Sequence, residues 1–248
     1  MSILIAIILG VVQGFTEFIP VSSSGHLVLL QKILGVQGDG MFFNIVVHLG
    51  SLLAVIICYR KKILGIIKNP LGQDAKRLII ATIPTVIIFF LFKDFFDKTF
   101  GGEYLVICFL VTATMLIISS IVAKCSNKNP LNNKTAFVMG VFQGLAIIPG
   151  ISRSGATLTG GVCMGADKEN VADFSFLMSG PIIVGSLILE LFKKPTLPIG
   201  ILPLIAGFIF SFIASILAIK FMLKVLKTKT FIPFAIYLLA LSLALIIF

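Results

Sequence analysis

Apolar positions in this chain run on in long blocks and do not alternate with polar ones. Such blocks cover roughly 41–59, 78–92, 104–123, 174–192, 200–222 and 231–248. Crossing the hydrocarbon core of a bilayer as a helix takes about 20 apolar residues, so each block predicts a spanning helix. Two further stretches, roughly 3–34 and 135–165, are apolar but interrupted by Gly, Pro, Ser and ionisable residues. Non-helical backbone survives at membrane depth only where protein or a wet cavity surrounds it. These two stretches therefore predict broken or re-entrant helices, and the pattern as a whole predicts an all-α polytopic membrane protein.

Composition agrees with the pattern. Of the 248 residues, 58% are hydrophobic and 12% charged, and the mean hydropathy is +1.13; soluble chains carry about 25% charged residues. Residues 1–248 are expected to form a single membrane domain with no separate soluble module. The apolar N-terminus lacks the basic region and small-residue cleavage site of a signal peptide, and Gln13, Glu17 and Pro20 interrupt it; it reads as mature sequence. The net charge of +10 does not point to nucleic acid, because no charged face or aromatic platform accompanies it. Most of the lysines lie between apolar blocks, where they set topology and meet anionic lipid head groups. Cys58, Cys108, Cys125 and Cys163 show no CxxC spacing and are expected to be apolar filler.

Positive charge orients the spans. Segment 60–77 holds Arg60, Lys61, Lys62, Lys68, Lys76 and Arg77 against Asp74 alone, which predicts a cytoplasmic loop. Segment 93–103 mixes Lys93 and Lys98 with Asp94, Asp97 and Glu103 and is expected outside. Lys124, Lys128 and Lys134 mark an inside segment, as do Lys220, Lys224, Lys227 and Lys229; Lys193 and Lys194 then fall outside, against the trend. Both termini are expected outside.

The two broken stretches repeat each other at an offset of 130 positions. Gly10, Gln13, Gly14, Ser22, Ser24 and Gly25 recur as Gly140, Gln143, Gly144, Ser152, Ser154 and Gly155. The charge assignment brings the first copy in from outside and the second from inside. The expectation is two inverted-topology repeats, 1–130 and 131–248, each with a broken segment and about three spanning helices. Repeats of this kind set their broken helices face to face near the midplane. The Gly-x-x-x-Gly spacing in each copy permits close backbone approach there, and plain helix packing explains the glycines by themselves.

The copies differ where ionisable groups stand. Glu17 lies four residues after Gln13, on the same helical face, and an ionisable group at membrane depth is costly enough to suggest function. His26 follows the polar turn Pro20-Val-Ser22-Ser23-Ser24-Gly25, whose hydroxyls and N–H groups suit an anion. Arg153 sits among Ser152, Ser154, Gly155 and Thr157; its planar fork grips phosphate oxygens in pairs. Thr157, four residues on, shares its face, and a helix starting near Gly155 would add a positive dipole end. His48, within a span, reads as a packing or supporting residue. Asp167, Glu169 and Asp173 read as a loop and helix cap, with a phosphate-bridged Mg2+ or Ca2+ left open.

The segments Gln13-Gly-Phe-Thr-Glu17-Phe-Ile-Pro20-Val-Ser-Ser-Ser-Gly-His26 and Pro149-Gly-Ile-Ser-Arg153-Ser-Gly-Ala-Thr157 resemble the two signature motifs of the undecaprenyl-diphosphatase family, the bacitracin-resistance proteins. The similarity extends over essentially the whole chain, including 174–181 and Phe231-Ile-Pro-Phe-Ala-Ile-Tyr237. It implies a bacterial inner-membrane enzyme, multi-pass, that removes the terminal phosphate of undecaprenyl diphosphate near the outer face, recycling the carrier lipid of cell-wall synthesis. It also implies an inverted repeat with re-entrant helices and a divalent cation, Mg2+ or Ca2+, bridged by substrate phosphate. The first acidic position of the family motif is Gln13 here, which leaves Glu17 as its only carboxylate and a candidate metal ligand.

On this reading Glu17, Ser23, His26 and Arg153 are the catalytic candidates. Gln13, Ser22, Ser24, Ser152, Ser154, Gly155 and Thr157 are candidates for substrate binding. Arg153, with Ser154 and Thr157, would hold the terminal phosphoryl group, while Glu17 and His26 position and deprotonate the nucleophile, either Ser23 or a water. The expected partners are the polyprenyl diphosphate and membrane lipids, with a homodimer left open. A lipid-phosphate transporter would use an inverted repeat equally well. A noncatalytic scaffold would have no reason to keep Glu17, His26 and Arg153 in the apolar phase.

Overall fold

The computed structural model describes residues 1–36, 40–99, 101–125, 129–192, 200–226 and 230–247. Its elements are helices: α1 Ile3–Phe18, α2 Ser23–Ile33, α3 Gly40–Cys58, α4 Arg60–Lys68, α5 Gln73–Leu91, α6 Lys93–Thr99, α7 Leu105–Cys125, α8 Asn133–Leu145, α9 Arg153–Cys163, α10 Lys168–Phe192, α11 Ile201–Val225 and α12 Ile232–Ile247. Among the described residues the sole β pairing is an isolated bridge between Asn129 and Ala166. The protein is an all-α, polytopic membrane protein.

Spanning capacity is distributed less evenly than the hydropathy pattern predicts. Among the described residues, three helices are long and apolar enough to cross alone: Leu105–Lys124, Lys168–Leu189 and Ile201–Val225. Two more spans arise only as bent pairs, α3 with α4 (80°) and α5 with α6 (79°). The expected loops at 60–77 and 93–103 thus contain helices that turn sharply off the spans. The expected span at 231–248 is a helix of 16 residues, and the one expected at 174–192 begins earlier, at Lys168. Lys128, Lys193, Lys194, Lys227 and Lys229 lie outside the described residues.

The two broken stretches are helical hairpins, and their boundaries repeat. Helices α2 and α9 begin at Ser23 and Arg153, positions related by the same offset as the motifs, and both run 11 residues. Each starts at a Ser N-cap: Ser22 Oγ accepts from the Gly25 N–H, and Ser152 Oγ accepts from the Gly155 N–H. Such a cap satisfies one of the free N–H groups of a helix start and stabilises it by ~1 kcal/mol.

The hairpins also touch reciprocally. A Cβ on Gly25 would crowd the Gly150 Cα, and a Cβ on Gly155 would meet the Pro20 side chain at 3.5 Å. Positions 20 and 150, and likewise 25 and 155, correspond in the repeat, so each contact is the image of the other. The Gly-x-x-x-Gly faces lie elsewhere. Gly10 and Gly14 press on the Gly207 and Ser211 carbonyls of α11, while Gly140 presses on the Ala81 carbonyl of α5. The first hairpin is therefore wedged against α11 and the second against α5.

A central core of Phe18, Phe109, Leu116, Met139, Leu158, Phe176 and Met222 fills the space between the helices. Hydroxyls tie α3 to α11, where Ser51 bonds Ser211 (3.2 Å) and Ser215 (3.0 Å). The outward faces are apolar, as Ile107, Ile121, Ile209 and Ile213 show, which is what hydrocarbon contact requires. Of the cysteines expected as buried filler, Cys108 is buried, whereas Cys58 and Cys163 are exposed.

Candidate active site

The site forms where the two hairpins meet. Glu17 stands in the last turn of α1, and α1 ends one residue later because the chain must turn at Pro20 to enter the serine turn. Glu17 is 6% exposed. A carboxylate at that depth needs donors to replace water, and three supply them. Gln13 Nε2 donates to Oε2 at 2.9 Å from the preceding turn of α1. The Ser23 hydroxyl donates to the same oxygen at 2.6 Å from the start of α2. Arg153, the first residue of α9, donates its Nη2 to Oε1 and forms an ion pair across the two halves. The fourth neighbour is His48 of α3, whose Nε2 lies 3.5 Å from Oε2.

Arg153 is held on its other side by the Ser175 carbonyl of α10, 3.4 Å from Nη1. That bond is long, so this edge of the guanidinium is weakly engaged. Ser23, Ser24, Arg153 and His48 are partly exposed, while Gln13, Ser22, Ser152, Ser154 and Thr157 are buried. The accessible rim around the buried carboxylate therefore consists of the Ser23 hydroxyl, the Arg153 guanidinium and the His48 imidazole. The N-terminal ends of α2 and α9 flank this rim and add their positive dipole ends.

Several expected ligands spend their polar atoms on the fold. Ser22 and Ser152 are the helix caps described above. Ser154 Oγ lies 3.2 Å from Ser152 Oγ. Thr157 donates to the Arg153 carbonyl (2.9 Å) and exchanges a 2.6 Å bond with Ser175, while Gly155 is the residue whose N–H is capped. These groups fix the start of α9, from which Arg153 reaches Glu17.

The imidazole beside the carboxylate is not the one the sequence suggests. His26 lies apart from Glu17, with Nδ1 2.7 Å from the Ser22 carbonyl and Nε2 2.7 Å from the Tyr237 hydroxyl. Its ring stacks on Tyr237 with centroids 5.7 Å apart. A carbonyl can only accept, so Nδ1 carries hydrogen and a neutral ring takes the Tyr237 proton at Nε2. Ser22 has φ 72°, a left-handed backbone rare outside glycine. His26 braces that strained turn from within α2, and Tyr237 braces His26. His48 occupies the place beside the carboxylate, anchored through Nδ1 to the Asn44 carbonyl at 2.5 Å.

Tyr237, Ser175 and the position of His48 against Glu17 were outside the reach of motif reading. The stretch 231–237 carried a hint of Tyr237, since it matches the family pattern. The acidic run at 167–173 divides in two. Asp167 accepts from the Glu169 and Asn170 N–H groups (3.2 Å each) and caps α10, whereas Asp173 accepts from Tyr59 (2.8 Å) and pairs with Lys62.

A buried carboxylate, a hydroxyl and a guanidinium thus converge between two hairpins of a helical membrane protein, an arrangement whose charges suit an anionic group. Its sequence matches the family described as Bacitracin resistance protein BacA over residues 6–244. An undecaprenyl-diphosphatase of Carboxydothermus hydrogenoformans is 43% identical over 241 residues, spanning 94% of this chain and 92% of that protein. The chain belongs to the bacitracin resistance protein BacA family.

Proposed function

We propose that this protein is a membrane phosphatase that hydrolyses undecaprenyl diphosphate to undecaprenyl phosphate and inorganic phosphate. The observation that carries the reading is the convergence of Ser23 and Arg153 on the buried Glu17 carboxylate. Family membership and the undecaprenyl-diphosphatase relative support the substrate. The prenyl tail lies in the lipid, and the diphosphate enters at the rim.

The terminal phosphoryl group takes the weakly held edge of the Arg153 guanidinium, and Arg153 offsets the charge that builds as the P–O bond breaks. Glu17 acts as the base. In one course the Ser23 oxygen attacks phosphorus, its proton passes to Glu17 Oε2, and undecaprenyl phosphate leaves with the bridging oxygen. Water then cleaves the phosphoserine. In the other course Glu17 deprotonates a water that attacks directly. The 2.6 Å bond from Ser23 to Glu17 favours the first. His26 is a positioning residue that holds the serine turn through the Ser22 carbonyl.

The family resemblance implies a divalent cation. Among the described residues no three His, Cys, Asp or Glu side chains cluster as a metal cage, but Gln13 Oε1 is buried without a partner beside Glu17. Two hard oxygen donors of this kind are the chemistry Mg2+ or Ca2+ takes. Glu17 and Gln13 would hold the ion, which when bound draws charge from the phosphoryl oxygens. The positive-charge asymmetry supports inverted halves with both termini outside and a site toward the outer face of the bacterial cell membrane.

Purified protein in detergent should release phosphate from undecaprenyl diphosphate without any gradient, and a chelator should lower the rate. Rapid quench with labelled substrate should trap phosphate on the parent chain and not on Ser23→Ala. No release by the parent chain overturns the hydrolase reading; release without trapped phosphate leaves the water course.

A further inference from the structure

Two spans of this protein end in elbows of nearly equal angle, and the elbows differ in charge. After α3 the chain turns 80° into α4; after α5 it turns 79° into α6. With α3 and α5 taken as crossing the bilayer, a turn of that size lays the following helix nearly in the membrane plane. Helix α4 carries Arg60, Lys61, Lys62 and Lys68 with no acid. Helix α6 carries Lys93 and Lys98 with Asp94 and Asp97, a balanced set.

No residue of α4 is buried, and its side chains sort into three stripes. Ile63 and Ile66, partly covered, face the protein. Arg60, Leu64 and Ile67 share the i, i+4, i+7 stripe, and Leu71 follows just beyond the helix end; Leu64 is 52% exposed, Ile67 67% and Leu71 93%. Lys61 and Lys68, seven apart, form the third stripe. Lys62 is already committed to Asp173, which also holds Tyr59, and this contact pins the elbow to α10. No hydrogen bond or ion pair joins Arg60, Lys61 or Lys68 to another described side chain.

An in-plane helix with one apolar stripe, one basic stripe and one stripe against the protein has the layout of an interfacial membrane helix. Basic residues at that depth attract anionic lipid, each by roughly fivefold in affinity. Water on all sides of α4 would leave Leu64, Ile67 and Leu71 exposed together for no gain. We propose that α4 is an interfacial helix that gathers anionic phospholipid. Leu64, Ile67 and Leu71 sit among the upper acyl chains, and Arg60, Lys61 and Lys68 contact the phosphates. The proposal does not depend on the hydrolase reading.

The chain has no tryptophan, so a single introduced one reports its own surroundings. Ile67→Trp, reconstituted in vesicles, is titrated with lipid brominated high on the acyl chain and carrying either a phosphatidylglycerol or a phosphatidylcholine head group. Both should quench it, with phosphatidylglycerol favoured by about fivefold or more at low salt and the preference shrinking as salt screens it. Arg60→Gln, Lys61→Gln and Lys68→Gln together should bring the preference close to one. Phe95→Trp on α6, 53% exposed in the parent, should be quenched without head-group preference. Ile213→Trp on the lipid face of α11 should quench equally in parent and triple variant, which separates loss of binding from misfolding. An unquenched Trp at 67 would mean that water or a second copy covers α4 and would overturn the proposal. So would equal quenching by the two head groups, or a preference that survives the triple substitution.

Discussion

At offset 130 the first hairpin places Glu17, Ser23 and His26 where the second has Ile147, Arg153 and Ala156. Around these positions the scaffolds match: a Ser cap and a helix of 11 residues in each, with contacts between the turns that mirror one another. The difference teaches how a repeat can build a site. Equivalent positions 23 and 153 deliver a hydroxyl and a cation to one carboxylate that only the first copy supplies. A symmetric pair of carboxylates would repel, and a symmetric pair of guanidiniums would leave two buried cations unpaired.

Making the copies more alike should therefore destroy the site. Glu17→Ile, which gives the first hairpin the residue of the second, should abolish phosphate release. It should also lower the detergent melting temperature, because Arg153 is left half-buried without its partner, a loss of about 3–5 kcal/mol for a fully buried pair and less here. Glu17→Gln keeps the shape and removes the base, with an expected fall in kcat on the order of 10²–10⁴. Arg153→Lys keeps a charge but not a fork, and the expected fall is about 10²–10³ in kcat with little change in melting. Near-normal turnover by Arg153→Lys would remove the guanidinium from its assigned place.

The scaffold positions give smaller effects. Gly140→Ala pushes a methyl into the Ala81 carbonyl, and Gly10→Ala into the Gly207 carbonyl. Each should cost about 1–3 kcal/mol, read as a lower melting temperature, with kcat per folded molecule retained. The smallest and most discriminating contrast is between the paired glutamines. Gln13 donates to Glu17, whereas Gln143 donates to Thr85 at 3.1 Å. Gln13→Leu should lower kcat by roughly tenfold, since about 1.5 kcal/mol is typical for a hydrogen bond to a charged group. Gln143→Leu should leave kcat unchanged and shift only the melting curve. Equal kinetic losses in both would mean that the halves share the chemistry more evenly than the geometry assigns.

Much of the architecture was legible in the residues themselves. Apolar block length marked spans, and the recurrence of Gly, Gln and Ser at one offset marked the hairpins, because both depend on neighbours within a single element. Glu17 and Arg153 stood out because an ionisable group among apolar ones has few reasons to be there. The helical elbows α4 and α6 were read as loops, since short runs such as 60–68 carry too few apolar residues to register as helices by block length. His48 sits 31 positions from Glu17 on another helix, and no spacing rule connects them.

The chain alone determined that the protein lives in a bilayer, carries one Gly, Gln and Ser pattern twice, and holds one acid and one guanidinium of interest. Which imidazole stands by the carboxylate was decided by the packing of α3 against α1. That His26 turns away to brace Ser22 was decided by Tyr237, 211 positions downstream. The physical reason is reach: local patterns report which face a side chain occupies, whereas the partner on that face depends on how close two distant helices come, and here the glycines and caps of both halves set that distance.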